Sequence, residues 1–146
     1  MSLSIIVPML NEEAGIAAAL LALRKLDGEI VAVDGGSRDK TLACARPHAA
    51  QLLSSPRGRA RQMNAGAASA QGEILLFLHA DTTLPANAGQ AITEAINQGA
   101  VWGRFDVCIA GNSAWFPLIA TLMNLRSRLT GIATGDQAIF VRRSSF

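Results

Sequence analysis

The sequence predicts an α/β fold, a three-layer α/β/α sandwich on a mainly parallel sheet, and three observations predict it. Short β-branched apolar runs without polar alternation recur along the chain, as strands buried on both faces do. Segments with apolar residues at helical spacing lie between them. The chain has 146 residues, half of them hydrophobic and 16% charged, which suits one globular domain spanning 1–146 rather than a disordered segment.

The elements follow in order. Ser4 to Pro8 (SIIVP) reads as a buried parallel strand. Asn11 is placed as an N-cap, with Glu12 and Glu13 in a first turn where the helix dipole favours negative charge. Ile16, Ala19, Leu20 and Leu23 form the inner face of that helix, and Asp27-Gly28 ends it. Glu29 to Val33 is a second strand leading into Asp34-Gly35-Gly36, and Ser37 or Asp39 caps a helix reaching about Arg46. Ala50 to Leu53 is a third strand, and Gly58 to about Ala70 a helix of small residues. Glu73 to Leu78 (EILLFL) is the most apolar strand and runs into His79-Ala80-Asp81-Thr82. A helix follows Pro85 to about Gln98. Ala100 to Ile109 is expected as a strand interrupted by Gly103, Ser113 to about Leu129 as an amphipathic helix, and Asp136 to Arg142 as a last strand.

In a parallel sheet of this kind, ligands bind at the carboxyl ends of the strands. Asn11-Glu12, Asp34 and Asp81 all fall at that edge. A carboxylate at the tip of a central strand can hold Mg²⁺ or Mn²⁺, hard ions that take oxygen ligands and are commonly shared with substrate phosphates. Asp81 is the candidate metal ligand, and His79, on the same side of the strand, can touch a nucleotide or orient Asp81. Asp34 can accept hydrogen bonds from a base or a ribose, or simply organise its turn. Arg57, Arg61 and Asn64 are spaced to share a helix face that can grip a diphosphate, with Arg59 turned to solvent. Arg126, Arg128, Arg142 and Arg143 form a second basic cluster, suited to phosphates or an anionic surface or simply to solvent.

Several classes are disfavoured. There is no phosphate-binding Gly-x-x-x-x-Gly-Lys-Ser/Thr loop, no Gly-x-Gly-x-x-Gly after the first strand and no Gly-x-Ser-x-Gly elbow. Aromatic residues are not interleaved with the basic ones, which argues against nucleic-acid binding. Cys44 and Cys108 have no metal-ligand spacing and are expected as buried, reduced thiols of a cytoplasmic protein. Met1 leads directly into a strand, so no signal peptide is expected. The longest apolar stretch, Trp115 to Met123, falls short of the roughly 20 residues that span a bilayer.

Five segments in sequence carry a resemblance: Ser4 to Glu13 (SIIVPMLNEE), Val33 to Thr41 (VDGGSRDKT), Gly58 to Gly66 (GRARQMNAG), Gly72 to Thr82 (GEILLFLHADT) and Gly135 to Arg143 (GDQAIFVRR). Together they resemble family 2 glycosyltransferases of the GT-A fold, a Rossmann-like sandwich, and more narrowly the branch described as radical-SAM/selenodomain-associated glycosyltransferases. The resemblance implies inverting transfer from a UDP- or GDP-type sugar to an acceptor hydroxyl. It implies that Pro8, Asn11 and Glu12 line the nucleotide pocket, that Asp34 contacts the base, and that Asp81 is the last acid of an Asp-x-Asp metal motif. The first acid of that motif is replaced by His79, and Met63 stands where the family pattern has Arg. The resemblance also implies that the family domain continues beyond Phe146, through a Gly-Gly-Phe stretch, to the Asp of a Glu-Asp pair that acts as general base. Asp136 is the remaining candidate for that role here.

Two other classes compete: a non-catalytic sugar-nucleotide-binding module, and a nucleotidyltransferase, which would carry glycine in the loop after the first strand where Pro8 to Glu12 has none. The apolar face of the helix from Ser113 can pack on the sheet or on a second copy of the chain. It can also rest on the inner face of a membrane near a lipid-linked acceptor, with Arg126 and Arg128 at the head groups.

Overall fold

The computed structural model describes residues 1–109, 111, 113–134 and 137–146. Six strands, β1 (Leu3–Met9), β2 (Glu29–Asp34), β3 (Gln51–Ser54), β4 (Ile74–Phe77), β5 (Trp102–Gly103) and β6 (Ile139–Arg142), form one sheet in the order β3-β2-β1-β4-β6-β5. The first four are parallel, and β6 runs antiparallel to both β4 and β5. Helices α1 (Ile16–Leu23), α2 (Thr41–Ala45), α3 (Arg59–Ser69), α4 (Ala88–Asn97) and α5 (Phe116–Thr130) connect or flank the strands. The expected mixed, mostly parallel sandwich is thus the observed one.

Side-chain alternation along the strands divides the core. Ile5, Val7, Ile30 and Leu76 face one way and pack with Ile16 and Leu20 of α1 and Ile92 and Ile96 of α4. Ile6, Val31, Val33, Leu75 and Phe77 face the other way, toward α3. That helix lies very close to the sheet: a Cβ on Gly66 would stand 2.5 Å from Cγ2 of Ile6.

At the amino edge of the sheet, Glu29 gathers three chain segments. Its carboxylate accepts from the Ser4 hydroxyl at 2.6 Å, from the Gln71 backbone N–H at 2.9 Å and from the Gln51 side chain. Burial alone would push this carboxyl up, but those bonds together hold it below the usual carboxylate range. The folded state therefore holds the proton less tightly than the unfolded chain. The resulting stability is present above the unfolded value, about pH 4.3, and is lost as pH falls through the lower folded one. Glu29→Gln is expected to lower Tm at pH 7 by roughly 2–4 °C. Thermal melts followed by circular dichroism should show that deficit shrinking toward pH 3; a deficit constant with pH would refute the charge-based origin.

Several elements depart from the sequence reading. Asn11 does not cap α1. It takes a left-handed φ of 54°, α1 starts five residues later with Gly15 at its cap, and the Asn11 amide oxygen instead accepts from the Arg38 N–H. The strand expected over 100–109 is paired only at Trp102–Gly103. Beyond it, Arg104 turns to an ion pair with Asp106 at 2.6 Å and donates to the Asn124 carbonyl. Arg128 also pairs with Asp106. Arg142 donates to the carbonyls of Ile96 and Ala100, and Arg143 to that of Ala70, so these two satisfy chain ends near α4 and α3. The α5 helix shows its apolar face outward: Trp115, Leu118, Leu122, Leu125 and Leu129 are exposed. Cys44 is half-buried and Cys108 exposed rather than both buried; neither forms a disulfide. No helix among the described residues is long and apolar enough to cross a membrane.

Candidate functional site

The strand order places a switch point between β1 and β4: the chain leaves β1 toward β2 and β3 on one side, and β4 pairs on the other. Loops depart in opposite directions there and leave a crevice at the carboxyl edge. Pro8 sits at its root. Ile6 is the last β1 residue paired with β4, and its carbonyl accepts from the Leu78 N–H at 3.1 Å. The two-residue alternation puts the missing N–H of Pro8 on that same side, where no ladder bond remains to be lost.

A cleft of about 260 Å³ opens at this point, lined by Pro8, Met9, Leu10, Glu12, Arg57, Gly58, Arg59, Gln62, His79, Ala80 and Asp81. A larger cleft of about 510 Å³ shares His79 and Asp81 and continues toward α1 and the 82–86 segment. Another, of about 470 Å³, lies at the opposite edge between α4 and the start of β1, away from every strand tip at this edge.

One wall is a pair of loops laced together. The Asn11 N–H donates to the Ser37 hydroxyl at 2.9 Å, and the Glu12 N–H to the Thr41 hydroxyl at 2.7 Å. Asp39 accepts from the Thr41 hydroxyl, the leading cause of its carboxyl lying below the usual range. Asp34, almost fully buried, accepts from the N–H groups of Gly36 at 2.9 Å and Ser37 at 3.0 Å. It anchors the β2 loop behind the cleft, and a carboxylate retains lone pairs beyond those two bonds.

The floor depends on Gln62, a buried α3 residue that sequence reasoning missed. Its Nε2 donates to the Met9 carbonyl at 2.9 Å and the Val33 carbonyl at 2.8 Å, tying the ends of β1 and β2 to the helix. Gly35 makes room for it, since a Cβ there would approach Gln62 Oε1 to 2.9 Å. A polar residue four positions before the buried Gly66 was the available signal.

The opposite wall is the start of α3. Gly58, at φ +140°, precedes the helix, and no side chain caps its first turn. Uncapped N–H groups beside Arg57 and Arg59 form an anion-receptive surface. Here the arginine assignment is corrected. Arg57 precedes the helix, Arg59 rather than Arg61 lines the cleft, and Arg61 is exposed outside it. Asn64 lies on another side of α3, in a separate groove with Met63 and Phe77. His79 is buried, whereas Asp81 is exposed in the cleft with no ion pair among the described residues. Asp136 lies outside the described residues.

No cluster of three His, Cys, Asp or Glu residues able to hold a metal occurs among the described residues. Asp81 is thus a single exposed carboxylate in the cleft, a donor that fits an ion taking the rest of its shell from substrate oxygens and water, as Mg²⁺ does with phosphates.

A model of the family described as Glycosyl transferase family 2 matches residues 4–146. The undecaprenyl-phosphate 4-deoxy-4-formamido-L-arabinose transferase of Pseudomonas syringae pv. syringae is 31% identical over 159 residues, covering 95% of this chain and 46% of the relative. A PGL/p-HBAD biosynthesis glycosyltransferase of Mycobacterium bovis is 40% identical over 91 residues, covering 56% of this chain and 36% of the relative. Among solved structures, glucosyl-3-phosphoglycerate synthase of Mycobacterium tuberculosis, in complex with Mn²⁺ and uridine-diphosphate-glucose, superposes with a TM-score of 0.71. It is 22% identical and matches over 98% of this chain and 56% of that one. The chain thus spans about half the length of such relatives.

Proposed function

The chain belongs to glycosyl transferase family 2, and from that membership we propose that it binds a nucleoside-diphosphate sugar of the UDP or GDP type and serves sugar transfer to an acceptor hydroxyl with inversion. Within the family we assign it to the radical-SAM/selenodomain-associated branch, on the five segments named above. The observation that carries the proposal is the convergence of Asp81, Arg57, Arg59 and the uncapped start of α3 on one cleft at the β1–β4 switch point.

In this reading Pro8, Asn11, Glu12 and the Asp34 loop flank the base and ribose. Arg57, Arg59 and the first N–H groups of α3 receive the diphosphate, with Arg61 adding positive charge nearby. Asp81 would hold a divalent ion, which, when bound, offsets the charge growing on the departing diphosphate. His79 borders Asp81 and the sugar end of the cleft. The acceptor oxygen bonds to the anomeric carbon from the face opposite the breaking carbon–oxygen bond, and its proton passes to a base, for which Asp136 is this chain's candidate. The Pseudomonas relative, an undecaprenyl-phosphate 4-deoxy-4-formamido-L-arabinose transferase, supports a lipid-linked acceptor.

Isothermal titration with UDP and GDP, with Mn²⁺ and with excess chelator, tests the donor site. Metal-dependent binding of one nucleotide is expected, and no binding of either under any condition would overturn the reading. Product analysis with the matching sugar nucleotide then separates transfer from binding alone.

A further inference from the structure

The buried amide of Gln62 has both of its hydrogens committed and its oxygen free. The Nε2 donors go to the carbonyls of Met9 at 2.9 Å and Val33 at 2.8 Å. A primary amide has only two such hydrogens, and turning it round would set Oε1 against two carbonyl oxygens, so its partners fix its orientation. Oε1 accepts from no group among the described residues. Gln62 is 3% exposed, yet it lines the donor cleft together with Pro8, Glu12 and Arg59. The side chain therefore offers the cleft an acceptor and no donor, at a depth where an acceptor left dry is costly.

That polarity dictates what can lie against it. Phosphate oxygens are acceptors as well, so the diphosphate belongs one helical turn away, at Arg59 and the uncapped start of α3. Oε1 lies beside Gly35, where a Cβ would approach it to 2.9 Å, at the tip of β2 and on the base side of the cleft. A planar base entering edge-first can reach an atom buried this deeply. We propose that Gln62 selects the base of the donor: its Oε1 accepts a hydrogen bond from the ring N–H in the middle of the pairing edge of uracil or guanine. Cytosine and adenine carry an unprotonated ring nitrogen at that place, and its lone pair would face those of Oε1. This assignment deepens the donor-site reading above and rests on it.

Calorimetric titration in Mn²⁺ with UDP, CDP, GDP and ADP tests this on the parent, Gln62→Leu and Gly35→Ala. The parent is expected to favour UDP over CDP, or GDP over ADP, by about 10–100-fold, the cost of leaving a buried acceptor opposed and unpaired. Gln62→Leu removes the oxygen and should bring the members of each pair to within about 3-fold of one another. Gly35→Ala, at a backbone conformation open to alanine, keeps the amide but forces Oε1 aside, and should narrow the preference too. A purely structural Gln62 would weaken all four nucleotides alike and leave their ratios as in the parent, and so would a bond from a ribose hydroxyl. Either result overturns the proposal, as does a parent that takes CDP as well as UDP and ADP as well as GDP. If circular dichroism shows that Gln62→Leu does not fold, the parent ratios and Gly35→Ala decide the matter. Binding without base preference overturns this assignment alone, whereas no binding of any nucleotide by the parent overturns the donor site and the assignment together.

Discussion

Asp81→Ala is expected to weaken Mn²⁺-dependent UDP or GDP binding by at least 10–100-fold, roughly what removing a mere supporting group of a metal ligand costs. Asp81 is the carboxylate in the segment that follows β4 into the cleft, and its loss leaves the ion with the substrate's own oxygens and water. The side chain is exposed and joins no ion pair among the described residues; its recorded contact is a long 3.5 Å approach from the Thr82 hydroxyl. Such a position contributes within about ±0.5 kcal/mol to stability, so the melting temperature should hold while binding falls. The sign reverses in chelator. Without the ion, the Asp81 carboxylate repels the diphosphate, so the variant should bind nucleotide as well as the parent or better. Asp81→Asn, which keeps the shape and removes the charge, should reproduce both effects. Equal metal-dependent affinities for parent and variants would place the metal elsewhere.

Asp81 was legible in the sequence because its surroundings are local: an unbroken apolar run ending in a carboxylate reads as a buried strand with a polar tip. The four parallel strands were legible for the same reason. What failed was set by contacts distant in sequence. Asn11 has the chemistry of a helix cap, but Ser37 and Arg38, some 27 residues away, recruit its N–H and its amide oxygen. The expected shared face of Arg57, Arg61 and Asn64 is not formed because Arg57 precedes the Gly58 cap, so helical spacing does not set its direction, although the helix starts where the sequence places it. Beyond Gly103 the strand pattern gives way because Arg104, Asp106 and Asn124 form their own polar knot. The periodicity of α5 identified an amphipathic helix correctly, but periodicity does not say which way the apolar face points.

Gly66→Val is expected to be the most damaging single change to the fold, costing about 3 kcal/mol or more and lowering Tm by roughly 6–12 °C. The buried face of α3 has no room for it. A Cβ at Gly66 would lie 2.5 Å from Ile6 Cγ2 and 3.1 Å from Val33 Cγ2, against an optimal carbon separation of about 3.5–4.0 Å, and both partners are β-branched and fully buried. Gly66→Ala should do less harm, because the better helix propensity of Ala returns up to about 1 kcal/mol. Relief of the clash by lifting α3 would carry Gln62 with it and break the bonds its buried Nε2 donates to the Met9 and Val33 carbonyls, at about 1–3 kcal/mol for that buried donor left unpaired. The same movement would shift Arg59 relative to Asp81, so nucleotide affinity should fall even in the molecules that remain folded. A double-mutant cycle with Ile6→Ala isolates the contact: the double variant should be more stable than the sum of the singles by about 0.5–3 kcal/mol. Strict additivity would mean that the damage arises elsewhere on the helix and that the close seat of α3 on β1 is not what sets the floor of the cleft.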